Sequence, residues 1–267
     1  MDSARSTIVV VTLAGGTLAG AVFGPAHGSP EPAVMIAILF ASLTSSIAGF
    51  AFSAICGGIL THLWDDNVRI VQVMTACGIV NQMVMVWSLR RAIRWRSMAR
   101  LVASGALGVP VGAWMLLHLD HTIYSHVIGG LLLCYGSLLL LLRNRPSALG
   151  LRGADMPIGF IGGVIGASAA LPSLPITLLC QLRGLEKDAQ RALVQPFVLA
   201  MLLLSLALTP VLSPSPAGAF APVDLLCIPP ALFGNQIGLA CARTLSSREF
   251  AIAVSLLLIV SGLSFVL

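Results

Sequence analysis

The stretch PIGFIGGVIGASAALPSLPITLLCQL, from Pro157 to Leu182, combines an apolar composition with a density of glycine and proline that a single α-helix does not favour. Proline removes a backbone hydrogen bond from a helix, and glycine weakens a helix interior. We therefore predict that these 26 residues form two short helices separated by a break. The residues expected to interrupt the helix are Gly159, Gly162, Gly163, Gly166, Pro172 and Pro175.

A second apolar stretch of unusual length runs from Ala33 to Trp64 and contains 32 residues. One crossing of a bilayer takes about 20 apolar residues, so this stretch is too long for one crossing and too short for two with a loop. We predict that it also forms two short helices that meet inside the membrane. Its break is expected within SSIAGFAFS, residues 45–53.

The composition of the whole chain places it in a membrane. Of the 267 residues, 57% are hydrophobic and only 9% are charged. Soluble domains carry about 25% charged residues. This composition excludes a water-soluble enzyme, a disordered chain and a nucleic-acid-binding protein of the basic-groove type. We predict an all-α polytopic protein of the cell inner (plasma) membrane with eight or nine spans, including an extra N-terminal transmembrane helix within residues 1–30.

The basic residues predict the orientation of the spans, since cytoplasmic loops carry an excess of Lys and Arg. One topology places 14 of the 15 basic side chains in the cytoplasm and leaves only Arg69 outside. In that topology the stretch Ala33–Trp64 starts and ends outside, whereas Pro157–Leu182 starts and ends inside. Each stretch is then a hairpin that enters the membrane and returns, and three crossings follow each hairpin.

A unit of one hairpin and three crossings reverses its orientation when it is repeated, so we predict two inverted-topology repeats. Repeat one covers residues 33–142, a cytoplasmic linker covers 143–156 and repeat two covers 157–267. A shift of 126 positions places Gly108 and Gly112 on Gly234 and Gly238, and a shift of 122 pairs Ser46 with Ser168, Asp66 with Asp188 and Arg69 with Arg191. Inverted repeats with paired broken helices are typical of secondary transporters, whose site lies at the midplane between the breaks.

The two breaks form the candidate substrate site. Helix N-termini inside a membrane offer unpaired N–H groups and a positive dipole end, which suit an anion without any charged side chain. Hydroxyl groups at Ser53 and Ser173 add hydrogen-bond donors. The alternative interpretation is that these small residues only permit close helix packing, and for Ser45 packing is the favoured interpretation.

Other polar residues interrupt the apolar spans or begin them. The amides Asn81-Gln82 and Asn235-Gln236 either line the substrate path or hold neighbouring helices together by hydrogen bonds. Arg69 and Arg191, which the repeat pairs with each other, either gather anions at the two mouths of the path or anchor the helices at the membrane interface. The sequence alone leaves both choices open.

Several kinds of chemistry lack the residues that they need. The spans contain no Asp, Glu, Lys or Arg away from their ends, which argues against a carboxylate proton relay. No phosphate-binding Gly-Lys-Ser/Thr loop occurs, so ATP is not the expected energy source. We expect no enzyme activity, no cofactor and no nucleic-acid partner, and we interpret His118, Asp120, His121 and His126 as solvated loop residues rather than a metal site. The expected partners are a small anion and the lipid bilayer, with a homodimer left open.

Two elements carry a family resemblance. The first is Gly49-Phe50-Ala51-Phe52, and the second is GASAALPSLP at residues 166–175, followed by LRGLEKDAQRA at residues 182–192. They resemble the TauE/SafE sulfite exporter family, which typically shows Gly-Phe-Gly-Phe in one half. The other half shows Gly-Gly-x-x-Gly-x-Pro-Gly-Pro-Pro and then a Lys-Asp…Arg-Ala helix start. The resemblance covers residues 33–266, and the chain departs from the family pattern at Ala51, Ala167, Ala170, Ser173 and Leu174.

The resemblance implies a secondary transporter, in the first instance an exporter, of sulfite, a sulfonate such as sulfoacetate, or thiosulfate. Together with the breaks and the buried amides it predicts substrate-binding positions at Gly49, Phe50, Phe52, Ser53, Asn81, Gln82, Ser168, Pro172, Ser173, Pro175, Asn235 and Gln236. Without an intramembrane carboxylate, the membrane potential is expected to drive the anion outward. The alternatives are a carrier of another small organic acid and a non-transporting membrane scaffold or receptor.

Overall fold

A computed structural model of the chain describes residues 32–48, 52–91, 93, 95–142, 153–212, 222–241, 258–260 and 262–263. The predicted first helix, the predicted site residues Gly49 and Phe50, and most of the last predicted span lie outside these residues. The described part is helical and contains no strand. Its elements are α1 Pro32–Ala48, α2 Phe52–Leu60, α3 Asn67–Leu89, α4 Trp95–His118, α5 His121–Leu142, α6 Asp155–Ala169, α7 Ser173–Leu182, α8 Lys187–Leu212, a 3₁₀ helix Pro222–Cys227 and α9 Ile228–Cys241.

The predicted all-helical membrane architecture is confirmed at this level. Within the described residues, three segments are long and apolar enough to cross a bilayer: Asn67–Leu89, Met98–His118 and Ala189–Thr209. Shorter apolar helices accompany them at Pro32–Ser46, Thr122–Leu138, Asp155–Ala169 and Ser173–Leu182. Two of these short helices, α6 and α7, occupy the glycine- and proline-rich stretch Pro157–Leu182.

The connection between α6 and α7 is a tight reversal of the backbone. Ala170 follows α6 in the left-handed conformation, with φ 55° and ψ 31°. Its N–H donates to the Gly166 carbonyl at 2.9 Å, and the N–H of Leu171 donates to the Ile165 carbonyl at 3.5 Å. These bonds satisfy carbonyl groups that a helix C-terminus leaves without partners. Helix α7 then begins immediately after Pro172.

An ion pair joins the start of α6 to the end of α7, the two ends of this helix pair that the reversal does not connect. The guanidinium of Arg183, directly after α7, lies 2.7 Å from the carboxylate of Asp155, the first residue of α6. The chain therefore returns after Leu182 to the level at which it entered at Asp155. This geometry is the one that a hairpin with both ends on one side of a membrane requires.

The glycines of α6 have a different role from the predicted one. We expected them to interrupt the helix, but Gly159, Gly162, Gly163 and Gly166 all lie within the continuous helix Asp155–Ala169. They permit close packing instead. A Cβ on Gly163 would lie 2.9 Å from the Cα of Gly105 in α4, and a Cβ on Gly166 would lie 2.8 Å from the Cβ of Pro172. Only the segment Ala170–Pro172 interrupts the helix.

Two helix pairs pack most extensively, α4 with α6 and α1 with α9. Both use glycines four residues apart. A Cβ on Gly108 of α4 would lie 2.9 Å from the Val164 nitrogen, and a Cβ on Gly234 of α9 would lie 2.9 Å from the Leu43 nitrogen. The absence of a Cβ at these positions lets the backbones of each pair touch.

Helices α3 and α8 pack against each other between these pairs. Every residue from Ile70 to Ile79 of α3 is buried, whereas none from Val80 to Arg90 is. The buried half begins at the N-terminus, where the carboxylate of Asp66 accepts hydrogen bonds from the N–H groups of Val68 at 2.9 Å and Arg69 at 3.1 Å. Such a cap satisfies N–H groups that the first turn leaves unpaired. Helix α3 is thus enclosed at one end and open at the other.

Candidate functional site

A cavity of about 40 Å³ lies where the facing ends of the short helices meet α3, α8 and α9. One water molecule needs a cavity of roughly 10–15 Å³, so this space suits about three waters or an anion of similar size. Its lining residues come from six helices and the α6–α7 connection. They are Ser45, Ser46, Phe52, Ser53, Gly78, Asn81, Gln82, Met85, Ala170, Pro172, Ser173, Gln195, Val198, Leu202 and Asn235.

The lining is polar without being charged. Four serine hydroxyls and four side-chain amides face a common space, and none of the lining residues is Asp, Glu, Lys, Arg or His. The hydroxyls belong to Ser45, Ser46, Ser53 and Ser173, and the amides to Asn81, Gln82, Gln195 and Asn235. A hydroxyl or an amide can donate a hydrogen bond to an anion, and an amide can also accept one. The cavity can therefore solvate a small anion with neutral groups.

A chain of hydrogen bonds connects three of the helices beside the cavity. The hydroxyl of Ser46 in α1 lies within hydrogen-bond distance of the Asn235 side-chain carbonyl in α9 and 2.7 Å from the Ser42 carbonyl. The amide of Asn81 in α3 donates to the Ser42 hydroxyl at 3.4 Å. These contacts give the amides of Asn235 and Asn81 fixed positions at the cavity wall.

Several amide atoms at the wall have no protein partner. They include the nitrogen of Asn235 and the side-chain oxygens of Asn81 and Gln82. Asn235 is only 1% exposed. A buried polar atom without a partner costs about 1–3 kcal/mol. The Asn235 nitrogen could donate a hydrogen bond to an anion, whereas the Asn81 and Gln82 oxygens could bond only to a ligand group or a water molecule that donates.

The N-terminus of α7 faces the cavity with fewer donors than we predicted. Pro175 has no N–H, and the N–H of Leu174 donates to the Leu171 carbonyl at 3.4 Å. Of the first three residues of α7, Ser173 therefore has the backbone N–H that can face an anion, together with its hydroxyl. No side chain caps this end of the helix. The hydrogen-bond donors expected at this end of α7 therefore come mainly from Ser173 and not from a series of free backbone N–H groups.

The structure brings many of the predicted site residues to this one cavity. Those that line it are Phe52, Ser53, Asn81, Gln82, Pro172, Ser173 and Asn235. Three others do not line it: Ser168, Pro175 and Gln236. Ser168 instead borders a separate, mostly apolar cavity of about 70 Å³, and its hydroxyl donates to the Ile165 carbonyl at 3.5 Å. The binding role of all these residues stays a prediction.

Sequence reasoning missed several lining residues. It interpreted Ser45 as a packing residue and did not place Ser46 or Gln195 at the site. Gln195 is 3% exposed and sits in the first third of the apolar helix α8. It could have been found by the rule that identified Asn81, since a side-chain amide inside an apolar span is costly to bury. Ala170, Gly78 and the apolar side chains of the wall carried no such signal.

Arg69 and Arg191 occupy different environments, although the sequence paired them. The guanidinium of Arg69 contacts one carboxylate oxygen of Asp224, through Nη2 at 3.0 Å and Nε at 3.3 Å. It also lies over the ring of Trp64, 4.2 Å from the ring centroid. Arg191 is half-buried near the start of α8, and the described residues contain no ion pair to it. Asp224 is therefore the partner of Arg69, which the sequence argument did not anticipate.

The histidines do not assemble a metal site in the described part of the chain, which contains no group of three His, Cys, Asp or Glu side chains able to hold an ion. The Nδ1 atom of His118 lies 2.9 Å from the Trp114 carbonyl, and that of His126 lies 2.6 Å from the Thr122 carbonyl. Each ring thus bonds to its own helix one turn earlier.

Comparison with known proteins gives one match. A family model described as "Sulfite exporter TauE/SafE" matches residues 34–265, nearly the whole chain. No curated protein and no solved structure matches the chain. The matched region includes every residue that lines the polar cavity.

Proposed function

The chain belongs to the TauE/SafE sulfite exporter family of membrane transporters, and on this basis we propose that it moves a small anion, such as sulfite, a sulfonate or thiosulfate, across the cell inner membrane. The observation that carries the proposal is the uncharged polar cavity, which lies at the facing ends of the short helices and has unpaired buried amides in its wall. A membrane scaffold or receptor does not need such a cavity.

Among the proposed substrates, the wall chemistry suits those that carry a single charge, hydrogen sulfite and the monovalent sulfonates, better than divalent thiosulfate. Transferring an ion from water into a protein costs several kcal/mol unless hydrogen bonds or opposite charges compensate. Hydroxyl groups and amides supply the hydrogen bonds here, with the donors of Ser53, Ser173 and Asn235 as the principal contacts. Because no lining side chain is positively charged, the bound anion is held without a permanent ion pair. A site of this kind also releases its ligand readily, as a transporter must.

The transport cycle requires two halves that move relative to each other, and we propose that these are two inverted repeats. In the proposed repeat, α1 corresponds to α6, α2 to α7, α3 to α8 and α4 to α9. When each helix is replaced by its counterpart, the α4–α6 pair becomes the α9–α1 pair. The same replacement maps α2–α3 packing onto α7–α8 packing, and both contacts occur. The predicted repeat therefore agrees with the arrangement of the helices.

The Arg69–Asp224 ion pair closes one entrance in this proposal. It joins the N-terminus of α3 to the 3₁₀ helix before α9, so it bridges the two proposed repeats. The α3 residues that line the cavity, from Gly78 to Met85, lie where α3 emerges from its buried half towards Arg90. With Arg90 in the cytoplasm, as the distribution of basic residues predicts, the proposal places the ion pair at the outer side of the cavity.

The proposed driving force is the membrane potential. A negative interior favours outward movement of one negative charge by about 2.3 kcal/mol per 100 mV. This free energy corresponds to a concentration ratio of roughly fiftyfold, since each 1.4 kcal/mol is a factor of ten. The uncharged cavity wall supports a mechanism in which the anion alone carries the charge.

Flux measurements in proteoliposomes test the proposal. Vesicles loaded with sulfite, methanesulfonate or thiosulfate are given a potassium–valinomycin potential without a pH gradient, and efflux is compared with that from protein-free vesicles. We expect efflux that rises with an inside-negative potential. Flux that ignores the potential but follows a pH gradient would contradict the driving force, and no flux of any of these anions would contradict the transport function for this substrate class.

A further inference from the structure

Ala170 is held in a backbone conformation that is unfavourable for alanine. Its φ of 55° is the only positive φ of a non-glycine residue in the described part of the chain. The other two residues with positive φ, Gly153 and Gly184, are glycines. The left-handed conformation is unfavourable for an L-residue with a side chain, because its Cβ approaches the following carbonyl oxygen. Glycine at position 170 would avoid this cost.

The strained residue lies at the substrate cavity. Ala170 is part of its wall, beside Pro172 and Ser173. It is 4% exposed, and the two backbone hydrogen bonds that close α6 fix its position. The cavity has a volume of only about 40 Å³, so a change of one methyl group in its wall is large enough to alter which ligands fit. Strained backbone that the surrounding structure maintains is most often found at functional sites.

A neighbouring alanine, Ala167, allows an effect of Ala170 on the cavity to be distinguished from an effect of any alanine in this region on folding. Ala167 is fully buried and lies in the helical part of α6, where a Cβ added to Gly112 would contact it at 3.0 Å. It does not line the cavity. Its methyl group therefore fills space between α4 and α6, whereas Ala170 is one of the residues that line the cavity.

We propose that Ala170 is a specificity-determining residue whose methyl group restricts the cavity to anions of about the size of sulfite or methanesulfonate. This inference rests on the proposed transport function and narrows its substrate class. The chain maintains this restriction although it requires an alanine in an unfavourable backbone conformation. Larger sulfonates with the same charge are excluded by volume and not by chemistry.

The test compares two monovalent sulfonates that differ only in length, methanesulfonate and propanesulfonate. Initial rates of flux into proteoliposomes are measured for the wild type, Ala170→Gly, Ala170→Ser and the matched control Ala167→Gly. We expect the ratio of propanesulfonate to methanesulfonate flux to rise at least fivefold in Ala170→Gly. The ratio should stay at the wild-type value in Ala167→Gly. It should be no higher than the wild-type value in Ala170→Ser, because the serine side chain is larger than that of alanine.

Stabilisation by ligand provides a second readout in detergent. Propanesulfonate should raise the thermal unfolding temperature of Ala170→Gly but not that of the wild type. An Ala170→Gly protein that is more stable but has unchanged selectivity would overturn the inference, since Ala170 would then act only on folding. Equal fluxes of both sulfonates in the wild type would overturn it as well. If no variant transports or binds either sulfonate, the proposed transport of this substrate class fails, and the inference fails with it.

Discussion

The α4–α6 pair and the α1–α9 pair are built in the same way but differ in chemistry. In each, two glycines four residues apart allow the backbone of one helix to contact the other. A Cβ on Gly112 would contact the Cβ of Ala167 at 3.0 Å, and a Cβ on Gly238 would contact the Cβ of Ser46 at 2.7 Å. Ser46 thus stands in the α1–α9 pair where Ala167 stands in the α4–α6 pair. This correspondence differs by one position from the shift of 122, which paired Ser46 with Ser168.

A second difference follows one residue after the first glycine. Val109 follows Gly108, and Asn235 follows Gly234. Val109 is a buried apolar residue, whereas Asn235 bonds to Ser46 and lines the cavity. The comparison teaches that the backbone contact is repeated but the polar site is not. Of the two interfaces, only the α1–α9 pair contributes side chains to the polar cavity, through Ser45, Ser46 and Asn235, while most of the wall comes from α2, α3, α7 and α8.

The largest effects should come from removing the feature that the two pairs share. Gly112→Ala and Gly238→Ala each place a Cβ against a backbone carbonyl of the facing helix, at Val164 and Leu43 respectively. Overpacking against rigid backbone should cost about 3 kcal/mol or more. We expect both variants to lose most of the folded protein, as measured by monodispersity and thermal unfolding in detergent.

Gly130→Ala is the control for these two variants, because within the described part of the chain a Cβ at Gly130 of α5 meets no atom of another helix within 4 Å. Alanine is favoured over glycine in a helix by up to about 1 kcal/mol, so this variant should be as stable as the wild type or more stable. If Gly112→Ala unfolds at the same temperature as Gly130→Ala, the helices of the α4–α6 pair do not pack as closely as described.

The next effect concerns the two arginines that the sequence paired. Asp224→Asn removes the charge that holds Arg69, while Arg191 has no ion pair within the described residues. A charge-assisted hydrogen bond contributes about 1.5–3 kcal/mol, so the proposed outer gate should open roughly ten- to a hundredfold more often. The buried thiols of Cys77 and Cys227 report this opening, because the Cys77 thiol lies 3.5 Å from the Cys227 carbonyl, a few residues from Arg69 and Asp224.

Labelling with a membrane-impermeant thiol reagent from the outer side should therefore accelerate in Asp224→Asn. The control is Asp155→Asn, which breaks the ion pair within the α6–α7 helix pair and should leave labelling unchanged. The charge-swapped double variant Arg69→Asp with Asp224→Arg should restore slow labelling. Rapid labelling of the wild type, or no change in Asp224→Asn, would show that this ion pair does not close an entrance.

A reciprocal exchange tests the chemical difference between the helix pairs directly. Asn235→Val gives the α1–α9 pair the residue that the α4–α6 pair has, and removes the amide from the cavity. Losing a buried hydrogen-bonding group should cost about 1–3 kcal/mol of ligand affinity, or roughly a 5- to 150-fold rise in KM. Val109→Asn should reduce stability without changing KM. Equal changes in KM for both variants would mean that the effect on transport comes through folding.

The smallest expected effect concerns the serines at the helix starts. Ser53→Ala and Ser173→Ala each remove one donor from a wall that has several others. A single neutral hydrogen bond contributes about 1 kcal/mol, so KM should rise roughly fivefold in each variant. Ser168→Ala is the matched control, since its hydroxyl bonds to the Ile165 carbonyl away from the cavity. A rise of the same size in Ser168→Ala would contradict the assignment of the site to the polar cavity.

The course of the helices could be predicted from the sequence to a large extent. In Pro157–Leu182, α6 ends at Ala169 and α7 begins at Ser173, so two short helices occupy the stretch in which glycines and prolines predicted them. In Ala33–Trp64, helices α1 and α2 flank residues 49–51, which lie outside the described residues. The glycines of α6 were misinterpreted. Glycine weakens a helix in isolation, but in α6 the close contact with α4 and Pro172 compensates for that weakness. This compensation depends on residues far away in the chain.

The sequence by itself determined that the chain is a helical membrane protein and which polar side chains interrupt its apolar stretches. These properties follow from composition and local spacing. Only the tertiary structure decided that Ser46 and Gln195 line the cavity while Ser168 does not, and that Arg69 is bonded to Asp224. The physical reason is that the face of a helix that meets a cavity, and the partner of a buried charge, are set by packing between segments more than 100 residues apart.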